Sequence, residues 1–160
     1  MPGKYGTITA FFTNPIILSG VFSWLGAQFL KTVIDLIYGR IKSFKRLLES
    51  MFWRTGGMPS SHSSTITAVT TAIGFKEGVN SSVFALAILM TFITMRDAVG
   101  VRRSSGLQAK KINELGKDLQ ENDIIDEYKP IKEVNGHTPM QVIMGCLLGI
   151  LIGLSMSLLM

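Results

Sequence analysis

Residues 140–160, MQVIMGCLLGILIGLSMSLLM, run for 21 residues without a single charge. At a rise of 1.5 Å per residue, such a run reaches about 30 Å as a helix, the thickness of a bilayer's hydrocarbon core. A chain in that environment must satisfy its backbone hydrogen bonds internally, so this segment is expected to be a membrane helix. Two more apolar regions accompany it. Residues 16–38 are interrupted by Gln28, Lys31 and Asp35, and residues 65–95 by a polar break at 76–82. A mean hydropathy of +0.35 agrees with a membrane protein.

The expected architecture is all-α: one domain over 1–160, an integral membrane bundle with helices at 16–38, 59–75, 82–97 and 138–159. That makes about four membrane-embedded helices, and the first apolar run is read as a retained anchor because no small-residue cleavage site follows it. The segment 59–97 forms a hairpin with Lys76, Glu77 and Asn80 at its tip. Whether it crosses the bilayer fully is left open by its length, and either version returns the chain to the face it left.

In this topology the loop 39–58 and the segment 98–137 share one face. Thirteen basic residues belong to that face: Arg40, Lys42, Lys45, Arg46, Arg54, Arg96, Arg102, Arg103, Lys110, Lys111, Lys117, Lys129 and Lys132. Only Lys4 and Lys76 lie on the other, with Lys31 inside the membrane. The excess of Lys and Arg orients the loop face toward the cytoplasm, as in a multi-pass protein of a bacterial cell membrane. A basic face against anionic lipid needs no nucleic-acid partner, and no aromatic-interleaved basic stripe is present. Within 107–121, Ile112, Leu115 and Leu119 recur at i, i+3 and i+7, which suggests a short amphipathic surface helix. The stretch 122–136 reads as a loop. Cys146 is the only cysteine, which excludes a disulfide framework or a cysteine zinc site, and no His/acid cluster has metal-ligand spacing.

The chain's two histidines occur in parallel settings. His62 follows Gly56-Gly57-Met58-Pro59-Ser60-Ser61, and His137 follows Gly136 and precedes Thr138-Pro139. Each opens a helix on the basic face, where unpaired N–H groups and the helix dipole favour an anion. Gly57 allows close backbone approach, Ser60 and Ser61 add donors, and Arg102 and Arg103 match phosphate oxygens. Singly, each has a plainer reading: a turn with a cap, a polar tip, a cytosolic anchor. Their convergence on one face is what suggests an anion site.

The stretches GGMPSSHSS, DAVGVRRSSGLQA and NGHTPM resemble the signatures of the divergent PAP2 family, relatives of lipid phosphate phosphatases and vanadium-dependent haloperoxidases. The resemblance covers nearly the whole chain. It implies a metal-independent, cofactor-free phosphatase in which His137 attacks phosphorus to form a phosphohistidine and His62 protonates the leaving alcohol. Arg102 or Arg103, with the backbone at Ser60 and Ser61, would hold the phosphoryl oxygens. Lys31 is the candidate for the superfamily's upstream phosphate-binding lysine. Its alternatives are snorkelling to the interface and pairing with Asp35. The implied substrates are phospholipid or isoprenyl phosphates, such as phosphatidylglycerol phosphate or phosphatidate.

Three departures stand out. Ser61 replaces the superfamily's usual glycine, and the gap from Arg103 to His137 is far longer than usual. Gln141 also stands where an acid four residues after His137 is expected. A glutamine oxygen can orient an imidazole but stabilises an imidazolium less than a carboxylate does. Asp97 is a substitute acid, with a salt bridge to Arg102 or Arg103 as its alternative. A catalytically weak or inactive protein that binds anionic lipid or phosphate is therefore the competing reading, and vanadate chemistry a distant third. The superfamily core has about six helices, so a homodimer could complete this bundle. Gly145, Gly149 and Gly153 offer a close-packing face for that purpose, or for packing within the chain.

Overall fold

The computed structural model describes residues 9–41, 43, 56–133 and 136–160. All regular structure among them is helical. Helix α1 spans Pro15–Ile37, α2 Ser61–Glu77, α3 Ser82–Arg96, α4 Arg102–Glu121 and α5 Pro139–Leu159, with a π-helical turn at Asp97–Val101 joining α3 to α4. The helix starts are written locally. The side chains of Asn14, Ser60, Ser81 and Thr138 cap α1, α2, α3 and α5 by accepting backbone N–H groups, and proline holds the first position of α1 and α5.

Helix α2 is the centre of the bundle, packed against α1, α3 and α5. It runs parallel to α5. A β-carbon at Gly145, Gly149 or Gly153 would meet the carbonyl of Ser60, Ser64 or Ala68 in turn. The glycine face of α5 is thus occupied by α2 within the same chain, which is the internal alternative rather than a dimer seam. Helix α1 runs antiparallel to α2 and bonds it at Ser23–Ser64, Oγ to Oγ 2.6 Å. Helix α3 does so through Thr70 and Thr91, 2.8 Å apart.

The interior is mostly Ala, Ser, Thr and Gly, whereas Phe22, Leu86, Phe92, Ile143 and Leu151 point outward. Lipid is as apolar as leucine, so burying large apolar side chains gains little. Close approach of small residues holds the helices together, with interhelical hydrogen bonds worth about 0.6 kcal/mol each.

Among the described residues, three helices are long and apolar enough to cross a membrane: α1, the continuous 40-residue helix Ser82–Glu121, and α5. The expected count of about four is corrected by α2. It has 17 residues and is rich in Ser and Thr, because its neighbours rather than lipid surround it. The short surface helix is also corrected: α4 begins at Arg102 and continues α3 through the π-turn. The C-terminal ends of α1 and α3 and the N-terminal ends of α2 and α5 gather at one end of the bundle. Of the basic residues counted above, Lys4, Lys42, Lys45, Arg46 and Arg54 lie outside the described residues.

Candidate functional site

The turn before α2 is shaped by two glycines. Gly56 and Gly57 have φ of 82° and 81°, a left-handed conformation that side chains disfavour. The chain then enters α2 with Ser60 as cap, its Oγ accepting from the Ser63 N–H at 3.4 Å and the Ser63 hydroxyl at 3.0 Å. The Ser60 N–H donates to the Gln141 carbonyl at 3.0 Å, tying the start of α2 to the first turn of α5. Of the expected Ser60–Ser61 donor pair, therefore, the Ser60 N–H is already committed. The N–H groups of Ser61 and His62, at the first two positions of α2, have no acceptor within the helix.

Lys31 reaches this turn from α1. It is 3% exposed, and its Nζ donates to the Ser61 hydroxyl at 3.2 Å. One turn further along α1, buried Asp35 receives Arg40 at 3.4 Å, and Lys31, Asp35, Arg40 and Gly57 line one narrow cleft. Arg40 is a site neighbour that sequence reading did not single out. It lies beyond the end of α1, where helical spacing no longer indicates what a side chain meets.

His137 is 6% exposed and held from three sides. Its N–H donates to the Ala98 carbonyl in the π-turn at 3.0 Å. Gly136 lies so close to the Arg103 backbone that any side chain there would collide with it. Its ring Nδ1 lies 3.2 Å from Gln141 Oε1, which also accepts the Thr138 N–H at 3.0 Å in a capping box. A backbone N–H can only donate, so the atom it meets is the amide oxygen and not the nitrogen. Nδ1 must then carry the proton, leaving the lone pair on Nε2. The capping box thus selects the imidazole tautomer. Burial chiefly lowers the His137 pKa below its ordinary 6.5, opposed by the Gln141 hydrogen bond and assisted by the charges of Lys31, His62 and Arg102.

The long gap between Arg103 and His137 is an out-and-back excursion. Helix α4 carries the chain away, and residues 124–133 return along it. Asn113, 7% exposed, fastens the return. Its Nδ2 donates to the Ile131 carbonyl and Glu133 Oε1, while its Oδ1 accepts from Ile131 N–H and Tyr128 Oη–H, all within 3.0 Å. The Tyr128 ring lies over Gly116. Gly136 therefore arrives back at Arg103, where the excursion began.

The π-turn brings residues five apart onto one face. Arg102 N–H bonds the Asp97 carbonyl, and Arg102 Nε bonds Asp97 Oδ2 at 2.6 Å. Asp97 therefore holds Arg102, while Gln141 holds His137; Arg103 is exposed and contacts Gly136 through its backbone. His62 is exposed at the start of α2. Lys31 and Arg102 act electrostatically on both imidazoles, and Asp97 on His62. Among the described residues, no three His, Cys, Asp or Glu side chains cluster as a metal site.

This arrangement can be set beside known proteins. The chain is 38% identical over 155 residues to the uncharacterized membrane protein YuiD of Bacillus subtilis (strain 168), covering 91% of this chain and 95% of that protein. No solved structure matches. The profile of the divergent PAP2 family matches residues 12–152, a range that takes in both histidine turns, the π-turn, helices α1 to α4 and the first two-thirds of α5. The chain belongs to the divergent PAP2 family.

Proposed function

We propose that the protein is a membrane phosphatase that hydrolyses a lipid phosphate at the cytoplasmic leaflet through a phosphohistidine. The observation that carries this reading is the pair of imidazoles at the N-termini of parallel helices α2 and α5, both under the charge of Lys31 and Arg102.

The phosphoryl group binds between Lys31, Arg102 and the N–H groups of Ser61 and His62, whose positive ends stabilise charge as it develops. His137 Nε2 attacks phosphorus and forms the P–N bond. The P–O bond to the lipid alcohol breaks, and protonated His62 gives its proton to the departing oxygen. Neutral His62 then takes a proton from water as that water attacks phosphorus. The P–N bond breaks, inorganic phosphate leaves and His137 is restored. Gln141 keeps Nδ1–H fixed throughout. Asp97 positions Arg102, and the basic loop face supports the cytoplasmic orientation.

The test is phosphate release from phosphatidate, phosphatidylglycerol phosphate and an isoprenyl phosphate in detergent, with wild type beside His137→Ala and His62→Ala. Release that disappears in both variants supports the reading; release that persists in His137→Ala ends it. A second reading, an inactive lipid-phosphate binder, is favoured by Gln141 in place of a carboxylate. It predicts retention of these lipids without release from any of them.

A further inference from the structure

A groove of about 400 Å³ lies on the outer surface of the bundle between α1 and α5, and every side chain lining it is apolar. Leu30 and Ile34 form one wall, Leu147 and Leu151 the other, and Met58 and Pro59 close the end nearest the glycine turn. Ile34 and Met58 have a second role. They also line the narrow cleft that contains Lys31, Asp35, Arg40 and Gly57. The apolar groove and the charged cleft therefore share a boundary, and Lys31 connects that boundary to Ser61 and the start of α2.

We propose that this groove holds the hydrocarbon chain of the phosphate-headed substrate, which enters sideways from the bilayer. The inference rests on the phosphatase reading for the identity of the head group, and it assigns chain selection to Leu147, Leu151 and Met58. Continuity argues for this occupant. A ligand reaching from the cleft into the groove must change from anionic to apolar across Ile34 and Met58, as a lipid phosphate does at its ester oxygen. Along α5, the wall from Met144 to Leu151 gives about 10 Å of helix rise for a chain to lie against. Free phosphate would leave the groove to bulk lipid.

Another large cavity, about 560 Å³, is lined in part by Thr70, Gly74, Phe75, Phe84 and Thr91. None of the residues lining it lines the cleft, so the two share no wall.

A long-chain lipid phosphate carrying a photoreactive group at mid-chain tests the proposal in detergent-solubilised protein, beside the alcohol with the same chain. Labelled peptides are mapped by mass spectrometry, a readout that needs no turnover. The phosphate lipid is expected to label Leu30–Ile34 and Leu147–Leu151 about tenfold more than the alcohol does. Equal labelling by both lipids overturns the proposal, as does label concentrated on Phe75 and Phe84. Leu147 and Leu151 are 50% and 63% exposed, so a larger side chain at either meets lipid and not the core.

In Leu147→Trp and Leu151→Trp, the ratio of kcat/KM for a long-chain over a short-chain phosphate ester is expected to fall about tenfold, with the preferential label lost. An unchanged ratio in both variants also overturns it. If wild type releases phosphate from no ester while labelling is selective, the phosphatase reading falls and the groove stands.

Discussion

Gln141 Oε1 sits 3.2 Å from His137 Nδ1 while accepting the Thr138 N–H at 3.0 Å. One carbonyl oxygen thereby caps α5 and fixes the imidazole. A glutamine at the position of the expected acid retains the orienting half of that residue's work and gives up the electrostatic half.

Replacing Gln141 separates the two halves. Gln141→Leu removes both the cap bond and the tautomer lock, and kcat is expected to fall about 100-fold with little change in KM. Gln141→Glu keeps the capping geometry and adds negative charge beside Nδ1, which raises the His137 pKa. Its pH–rate profile should then lose activity at higher pH than wild type on the acidic side. Steady-state kinetics across pH distinguish these outcomes, and a Gln141→Leu variant with wild-type kcat would show that the hydrogen bond is not used.

The wild-type pH dependence has a defined sign. In the proposed mechanism attack requires neutral His137, and burial lowers its pKa below 6.5. The neutral form therefore persists as pH falls past 6.5. The acidic limb of kcat/KM, which reports the free enzyme, should have its midpoint below that value. A midpoint above 6.5 assigned to His137 by its loss in a labelled-histidine NMR titration would contradict the site's electrostatics.

The return strap depends on Asn113. In Asn113→Leu the Ile131 N–H, the Tyr128 hydroxyl and the Ile131 carbonyl lose their partner, at a cost of about 0.5–1.5 kcal/mol for each bond. Protease cleavage within 123–133 should accelerate, and phosphate release should drop as His137 loses its fixed approach. Helices α1, α2, α3 and α5 share none of these bonds, so detergent-solubilised helicity by circular dichroism should be retained. Unchanged proteolysis would mean that the strap is held by something else.

Helix α5 depends on its glycines. Gly149→Val puts branched carbons against the Ser64 carbonyl and Thr67 side chain, and α2 and α5 must separate. Thermal unfolding in detergent should shift down by the equivalent of about 1–3 kcal/mol, the range for overpacking. Ile150→Val, on the exposed side of the same helix, should shift it far less.

The membrane character, the helix starts and the two histidine turns were legible in the sequence because each rests on local chemistry. An uncharged run of bilayer length, a Ser or Thr before a helix and a glycine with positive φ need nothing from the rest of the chain. Helix α2 was harder to read. Its Ser and Thr content resembles a poor membrane span when taken alone, and only its position inside three other helices explains it. Hydropathy reports the average surroundings of a segment, and those are set by its neighbours.

Local spacing fixed what each residue could do, and the tertiary structure decided which partner it met. Asp97 and Gln141 were both candidates to orient His137. The π-turn gives Asp97 to Arg102 by bringing residues five apart onto one face, and the capping box gives Gln141 to His137. No one-dimensional pattern encodes that choice, since it depends on an extra residue in a helical turn and on a 32-residue excursion closing where Gly136 meets Arg103. Contacts across such a separation are set by packing, and packing is a property of the whole bundle.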